Sequence, residues 1–590
     1  MGAGFMNSII LIGLVITFLT LIPVWRQFKS HPRGLLVLFF AEMWERFSYY
    51  GMRALLIFYL TQHFLFDDKT AQGFYGSYTS LVYLTPLIGG ILADRYLGTR
   101  KAVAFGALLL VTGHFLMAYE GHPAQQVLTY NDQSYDFVVT GRGSDRNVQI
   151  NISDKLYSFS PDKDGALLIN NYEGSEQLPQ RLSKDSFSLS VTGRDEMAQN
   201  VLFLALSFII LGVCFLKPNI SSLVGQLYEK NDPRRDPGFT LYYYGINLGA
   251  FWASILCGLL GQTVGWWAGF GLAGVGMLAG WLVFIYGKPM LEGHGEPNEP
   301  ALLKQPFVGP VNKEWGIYIL SVLGIGLIWL LVQRHEMVGY LLMASSVLVL
   351  SYLGYLMMSS LSTVESHRII LALILIFAAV LFFTLFEQAG SSLNQFASRN
   401  TILSMGGVSL QASQTQSFNT GFILILAPIF SALWAFLGAK DKDFSAPMKF
   451  SFALVQVGLG FLVLVYGAQF AGDDHKVPLI FLMLAYLFHT TGELFISPVG
   501  LSQMTKLATS TLISTLMAVW FLSSAWAQWL GSIIAKLTAT KTIAGQVLDP
   551  AASLATYVKV FQDIGVYAIG FGILLFFLSF ALKKLAHGIK

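Results

Sequence analysis

The chain has 590 residues, 54% of them hydrophobic and only 12% charged, with a formal net charge of +3 and a mean hydropathy of +0.58. That balance lies outside the range of ordinary soluble domains and assigns most of the chain to lipid. The small net charge, with most Lys and Arg outside the apolar segments, gives no sign of a nucleic-acid face, and the two cysteines, Cys214 and Cys257, sit in apolar stretches that argue against a disulfide framework or a cysteine metal site.

A hydrocarbon core of ~30 Å takes about 20 apolar helical residues to cross. Fifteen segments approach that length, near residues 8–25, 35–61, 74–94, 102–119, 199–226, 240–262, 265–286, 315–332, 338–358, 368–389, 417–437, 450–470, 477–498, 511–535 and 565–582. No basic residue precedes the first of them, whereas Arg26, Lys29 and Arg33 follow it. That order reads as an uncleaved anchor with its N-terminus outside rather than a signal peptide. Basic clusters at 26–33, 95–101, 234–235, 440–442 and 583–590 fall on alternate loops, which marks that side, and the C-terminus with it, as cytoplasmic. The other loops, such as 67–69 and 473–476, mix signs or are short.

Residues 121–198 do not belong in a membrane. They hold many Asp, Asn, Ser and Gly between short alternating runs, "YDFVVTG", "NVQINIS", "KLYSFS", "GALLINNY" and "SFSLSVTG", and predict a small β-rich domain on the outer side. The similar segments "VVTGRG" and "SVTGRD" are either two related strands or a coincidence.

An ionisable group at bilayer depth costs several kcal/mol on most scales, which makes each one a functional candidate. The second segment carries four in "FFAEMWERFSYYGMRALL". Glu42, Glu45, Arg46, Tyr49, Tyr50 and Arg53 recur at spacings of three and four, a single helical stripe that must face protein or a water-filled cavity. One reading is a salt-bridged structural seam. The other is a protonation switch, since two close carboxylates and one arginine push the carboxyl affinities for a proton in opposite directions. Lys217, Glu387 and Glu493 are further charges deep in apolar segments, and Asn247 and Asn419 add amides. Such a set complements a substrate with an ammonium at one end and a carboxylate at the other. "KPN" at 217–219 and "SPVG" at 497–500 mark places for a bend or an unwound turn, or else ordinary packing kinks. In "GGILADRYLGTRKA", Asp94 and Arg95 follow a glycine pair at a cytoplasmic helix end, a pattern suited to an inter-helix charge latch.

Taken together, "EMWERFSYYG", "GGILADRYLG", "FLKPNISSLVG", "YYYGINLGA" and "GELFISPVGLS" resemble, in order, the blocks of the proton-dependent oligopeptide transporter family of the major facilitator superfamily. The resemblance covers essentially everything except residues 1–30 and 121–198. It implies an all-α polytopic membrane protein of two six-helix bundles with two inter-bundle helices, to which this chain adds an N-terminal helix and the β-rich extracytoplasmic insertion. The expected division is an anchor helix at 1–30, N-terminal bundle helices at 31–120 and 199–290 around the insertion at 121–198, a linker with two helices at 291–366, and the C-terminal bundle at 367–590.

The resemblance also implies roles for the matching residues. Glu42, Glu45 and Arg46, with Lys217 and Glu387, carry proton coupling. Arg46 and Lys217 attract the peptide carboxylate, Tyr49, Tyr50 and Tyr83 line the pocket with Trp520 in its wall, and Asn247, Asn419 and Glu493 hold the backbone and amino end. Arg53 with Glu387 closes the outer gate, and Lys217 with Glu493 the inner one. The implied activity is proton-coupled import of small peptides by alternating access, in a bacterial inner membrane, with protons as coupling ion and no cofactor, metal or catalytic residue. Some members carry a histidine on the second core helix, where "FYGSYTSLVYL" places Gly76, so coupling is expected to depend on carboxylates.

Other readings are a transporter of another solute, such as a modified peptide or an anion, and a nutrient sensor signalling through the outer domain. An enzyme is the weakest, because His367 and His489 are isolated from any nucleophile or metal-ligand spacing. The insertion binds substrate, binds an unknown partner, or caps the outer face. The N-terminal helix is a candidate site for an assembly partner.

Overall fold

The computed structural model describes every residue except 1–2, 163–164, 230–231, 441, 510–511 and 590. Lys590, the end of the C-terminal basic cluster, lies outside the described residues. Before the insertion come α1 (Ala3–Phe28), α2 (Arg33–Phe58), α3 (Asp68–Leu84), α4 (Pro86–Leu92) and α5 (Gly98–Met117). After it come α6 (Glu196–Gln226), α7 (Arg235–Thr263), α8 (Trp266–Tyr286), the short α9 (Pro300–Lys304), α10 (Lys313–Leu323), α11 (Ile325–Val332) and α12 (His335–Ser359). The C-terminal half holds α13 (Thr363–Phe386), the short α14 (Ser392–Asn400), α15 (Ser417–Ala439), α16 (Ala446–Gly467), α17 (Leu479–Leu507), α18 (Ile513–Leu537) and α19 (Pro550–Leu585).

Thirteen stretches of the described residues are long and apolar enough to cross a membrane. The charges of α2, five with Arg33, keep it out of that set, and the stretch Asp68–Met117 holds two crossings, which restores the expected fifteen. Helix α3 starts six residues earlier than hydropathy alone suggests, because Asp67 caps it by accepting from the Thr70 amide at 3.1 Å. Helix α19 begins well before residue 565, since its first turns carry Lys559 and Asp563 yet bury Leu554, Tyr557 and Phe561. The molecule is a major facilitator fold: α2 to α8 make one six-crossing half and α13 with α15 to α19 the other.

The halves meet along two seams, α3 against α18 and α7 against α15. Helix α12 lies over the first, where the His335 ring is hydrogen-bonded to Ser532 Oγ at 2.7 Å. A Cβ on Gly76 would lie 2.3 Å from Ser532, so this position on α3 has no room for a larger side chain. Helix α1 lies over the second seam: the Trp252 indole donates to Thr17 Oγ1 at 3.0 Å, and Thr20 and Tyr244 share a 2.7 Å bond. Its docking partner in this structure is therefore its own chain, with Leu11, Phe18 and Leu19 left on the outer, lipid-facing side.

Helix pairs approach closely where a side chain is missing. A Cβ on Gly89 would sit 1.9 Å from the Cys214 carbonyl oxygen, and one on Gly249 would sit 2.1 Å from that of Met43. Neither Pro218 nor Pro498 unwinds its helix: α6 and α17 continue through them. The unwound turn is thus absent in this conformation.

The insertion is built on strands β1 (Gln125–Tyr130), β2 (Gln133–Thr140), β3 (Asn147–Ile152), β4 (Lys155–Tyr157), β5 (Phe159–Pro161), β6 (Leu167–Ile169), β7 (Arg181–Leu182) and β8 (Ser188–Thr192). They form a five-stranded antiparallel sheet in the order β4-β3-β2-β1-β8 and a three-stranded sheet in the order β5-β6-β7. The two similar segments end in β2 and β8, the neighbours of β1 on either side. Tight turns at Asn131–Asp132 and Ser153–Asp154 use positive φ at all four residues, which Asn and Asp tolerate best after glycine. Leu128, Phe137, Val148, Ile150, Leu167 and Leu182 fill a core between the sheets.

Gly89→Val is expected to force α4 and α6 apart and cost about 1–3 kcal/mol or more, whereas Gly438→Ala, at a position with open space around it, is expected to be neutral. Thermal unfolding of the two purified variants in detergent checks both outcomes.

Candidate functional site

The charged stripe of α2 is buried at the centre of the N-terminal half. Glu42 and Glu45 are 0% exposed and Arg46 is 9% exposed. Arg46 reaches one Glu42 oxygen through Nε at 2.8 Å and Nη2 at 2.7 Å, and its Nε lies 3.1 Å from Glu45. One guanidinium therefore serves two carboxylates, and the remaining Glu42 oxygen and both Glu45 oxygens find no hydrogen-bond partner among the described residues. Across from this cluster on α6, the Lys217 ammonium stands 3.6 Å above the Tyr83 ring, a cation–π contact, and makes no ion pair among the described residues.

A second group adjoins it. Tyr50, Arg53, Asn247, Glu387, Asn419 and Glu493 line a cavity of ≈ 150 Å³ between the halves. Glu493 accepts from the Asn419 amide at 3.3 Å, and that amide also donates to Thr490 at 2.9 Å. The Glu493 carboxylate is thus held by a neutral amide rather than by a cation. Tyr49 is buried and meets Tyr50 edge to face at 5.2 Å. Trp520 stands apart from the lining: its ring fills the space a side chain on Gly500 would take, wedging α18 against α17.

Of the two expected gate pairs, one is formed. The Arg53 guanidinium is paired with Glu387 and donates to the Tyr75 hydroxyl at 2.7 Å. Lys217 and Glu493 are not paired in this conformation: Lys217 turns to Tyr83 and Glu493 to Asn419, so the two halves are not bridged there. The Asp94 latch is also corrected. Asp94 is exposed on a π-helical turn, Ala93–Leu97, and forms no ion pair among the described residues, while Arg95 lies over Tyr96. The next turn presents the pairing cations instead, with Arg100 bound to Glu296 at 2.6 Å and Lys101 to Glu314 at 2.7 Å.

One cluster was not legible in the sequence. Asp68, grouped with the mixed-sign loop 67–69, is buried and held by both Arg399 Nη atoms at 2.7 Å, with the Thr540 amide at 3.0 Å and Gln395 at 3.2 Å. Gln72 donates to Gln395 at 2.8 Å, and Asn394 donates to the Ala54 carbonyl at 3.0 Å. These bonds join the halves beside the Arg53–Glu387 pair. No local signal in the polar run "NQFASRN" around Arg399 ties it to Asp68.

The PTR2 family model, described as the POT family, matches residues 100–557. An uncharacterized transporter, YclF, of Bacillus subtilis (strain 168) is 33% identical over 527 residues, covering 87% of this chain and 89% of that protein. Dipeptide and tripeptide permease B of Xenorhabdus bovienii (strain SS-2004) is 28% identical over 557 residues, covering 94% and 96%. The crystal structure of a peptide transporter POT variant in complex with alafosfalin aligns with a TM-score of 0.70 and 30% identity, covering 94% of this chain and 96% of that one.

Removing one member of the Asp68–Arg399 pair leaves a buried charge without its partner. Asp68→Ala is expected to lose about 3–5 kcal/mol of stability, and the double variant Asp68→Leu with Arg399→Leu to recover most of it. Thermal unfolding of the single and double variants measures the difference.

Proposed function

The chain belongs to the POT family, and from that premise we propose that it is a proton-coupled symporter that imports di- and tripeptides across a bacterial inner membrane by alternating access. It is a multi-pass membrane transporter and not an enzyme. The basic clusters on alternate loops support placing that side in the cytoplasm, with the insertion outside, the C-terminus inside and, after fifteen crossings, the N-terminus outside.

The observation that carries the reading is the shared arginine of α2. Two fully buried carboxylates with one guanidinium between them leave a surplus negative charge that a proton can neutralise. In this proposal Glu45, the carboxylate with both oxygens unbonded among the described residues, takes up the proton. Arg46 and Lys217 on the N-terminal side then hold the peptide carboxylate, and Glu493 with Asn419 and Asn247 on the opposite side holds the ammonium and backbone. A zwitterion bridging the halves favours the conformation in which they approach, and so draws Lys217 toward Glu493. Proton and peptide are coupled because each binds one conformation better than the other. At ~2.3 kcal/mol per charge per 100 mV, one inward proton drives useful accumulation. The cycle needs no cofactor beyond the proton.

The cavity of ≈ 150 Å³ is below the ~300–1,000 Å³ of ordinary small-molecule sites, which fits the amino-end portion of a longer site extending toward Lys217. A second solute class is favoured by one comparison: a POT family transporter at 26% identity and a TM-score of 0.69 is solved in complex with 5-aminolevulinic acid, so other small zwitterions are candidate substrates here.

Proteoliposomes supplied with a labelled dipeptide test the proposal. The expected result is accumulation that requires an inward proton gradient, is abolished by Glu45→Gln, and leaves counterflow exchange intact. Absence of any dipeptide signal from folded wild-type protein sinks the peptide assignment, and a parallel assay with 5-aminolevulinic acid then decides whether the other solute class replaces it.

A further inference from the structure

The insertion is covalently part of the N-terminal half, entering from α5 and leaving into α6, yet its apolar core is completed by the other half. Between α18 and α19 the chain makes a small hairpin of Thr542–Ile543 and Gln546–Val547. Its tip residues Ala544 and Gly545 have φ of 47° and 78°. Two consecutive left-handed residues make the tight turn that suits a two-residue hairpin, and the alanine adopts that conformation against its own preference. Ile543 and Ala544 are 0% and 1% exposed, and both belong to the cluster formed by Leu65 of the N-terminal half and Leu128, Phe137, Val148 and Ile150 of the insertion.

Polar contacts fix the same tip from all sides. The Ala544 amide donates to Gln126 Oε1 at 2.9 Å, and the Arg146 guanidinium donates to the Ala544 carbonyl. The Val148 amide donates to Gln546 Oε1 at 3.2 Å. On another edge, the Ser144 amide donates to Gln411 Oε1 at 3.1 Å, and the Gln411 amide group returns a bond to Ser144 Oγ at 3.3 Å. Gly545 lies against Thr61 and Gln62 at the end of α2, where a Cβ would come within 3.0 Å of the Thr61 carbonyl. The insertion is also tied to its own half: Arg194 donates to the Phe64 and Leu65 carbonyls, and the Ala124 amide donates to the His63 carbonyl at 2.9 Å.

We propose that the β-rich insertion is an outer clamp, a docking cup on the N-terminal half whose partner is the Ile543–Ala544 hairpin tip of the C-terminal half, and that the tip must leave the cup each time the outer mouth opens. The inference rests on the alternating-access reading above. Opening the outer mouth separates the Arg53–Glu387 and Asp68–Arg399 pairs, and the clamped hairpin lies just beyond them on the same side. Withdrawing it exposes Ile543 and the cup's apolar floor and strands the Arg146 guanidinium, which biases the resting population toward the outer-closed state. The clamp thus sets the balance between the two end states without touching the substrate.

Two measurements on the full chain test it, one of them independent of any substrate. In the first, Ile543→Asp weakens the docked tip, and a cysteine at Gln72→Cys, inside the closed outer mouth, is reacted with a membrane-impermeant maleimide from the outer side. The labelling rate is expected to rise about tenfold over that of the Gln72→Cys protein alone, the range of an ordinary coupling energy. In the second, a disulfide is formed between Val148→Cys and Gln546→Cys. Oxidation is expected to lower dipeptide uptake about tenfold, with recovery on reduction and no change in either single-cysteine control. Unchanged labelling in the Ile543→Asp protein, or full uptake by the oxidised protein, overturns the clamp. Labelling that rises as predicted in the Ile543→Asp protein, while the wild-type protein carries no dipeptide, instead leaves the clamp standing and removes the peptide assignment.

Discussion

A charge surrounded by hydrocarbon and protein costs several kcal/mol unless another charge or dipole answers it, and the interior of this molecule is arranged around that cost. On α2 the answer is incomplete by design of the sequence: Arg46 contacts both Glu42 and Glu45, yet three carboxylate oxygens have no hydrogen-bond partner among the described residues. About two turns further along the same stripe, Arg53 is engaged by Glu387 and Tyr75. A single helix therefore carries one cluster whose carboxylates are incompletely paired and one that ties the two halves together.

The rigidity of the bundle comes from close helix packing. Gly89 and Gly249 bring backbones together at α4–α6 and α2–α7, and a stiff bundle moves as a body rather than deforming locally. Two of the three crossings outside the core, α1 and α12, lie over opposite seams between the halves, anchored by Thr17, Thr20 and His335. Each covers a line along which the halves meet. Their exposed faces are apolar, so they present lipid with the same surface as the bundle itself.

The two mouths differ in their bonding. Both ion pairs that cross between the halves among the described residues, Arg53–Glu387 and Asp68–Arg399, lie on the insertion side, with Gln72–Gln395 beside them. On the opposite side, Arg100 binds Glu296 and Lys101 binds Glu314, and neither cation makes an ion pair with the C-terminal half among the described residues. Lys217 and Glu493, unpaired with each other, belong to the same open arrangement. The structure is therefore that of a carrier closed on the insertion side, with the insertion and its captured hairpin adding a further layer to the closed mouth.

Local properties of the sequence determined a large share of this. Hydropathy over windows of helical length set the number of crossings, the position of the basic clusters set their alternation, and the i, i+3, i+4 spacing of Glu42, Glu45, Arg46 and Arg53 put them on one buried face. The alternating runs of 121–198 likewise specified strands, because the period of two is written residue by residue. Tertiary structure alone decided that Asp68 is a buried partner of Arg399, 331 positions away, that Arg100 and Lys101 rather than Asp94 make the latches, and that a hairpin tip at Ala544 completes the core of a domain inserted some 400 residues earlier. These pairings depend on which surfaces meet after the helices assemble. No periodicity in the chain records that, since a charge in a short loop carries the same local pattern whether it ends in solvent or is paired in the interior.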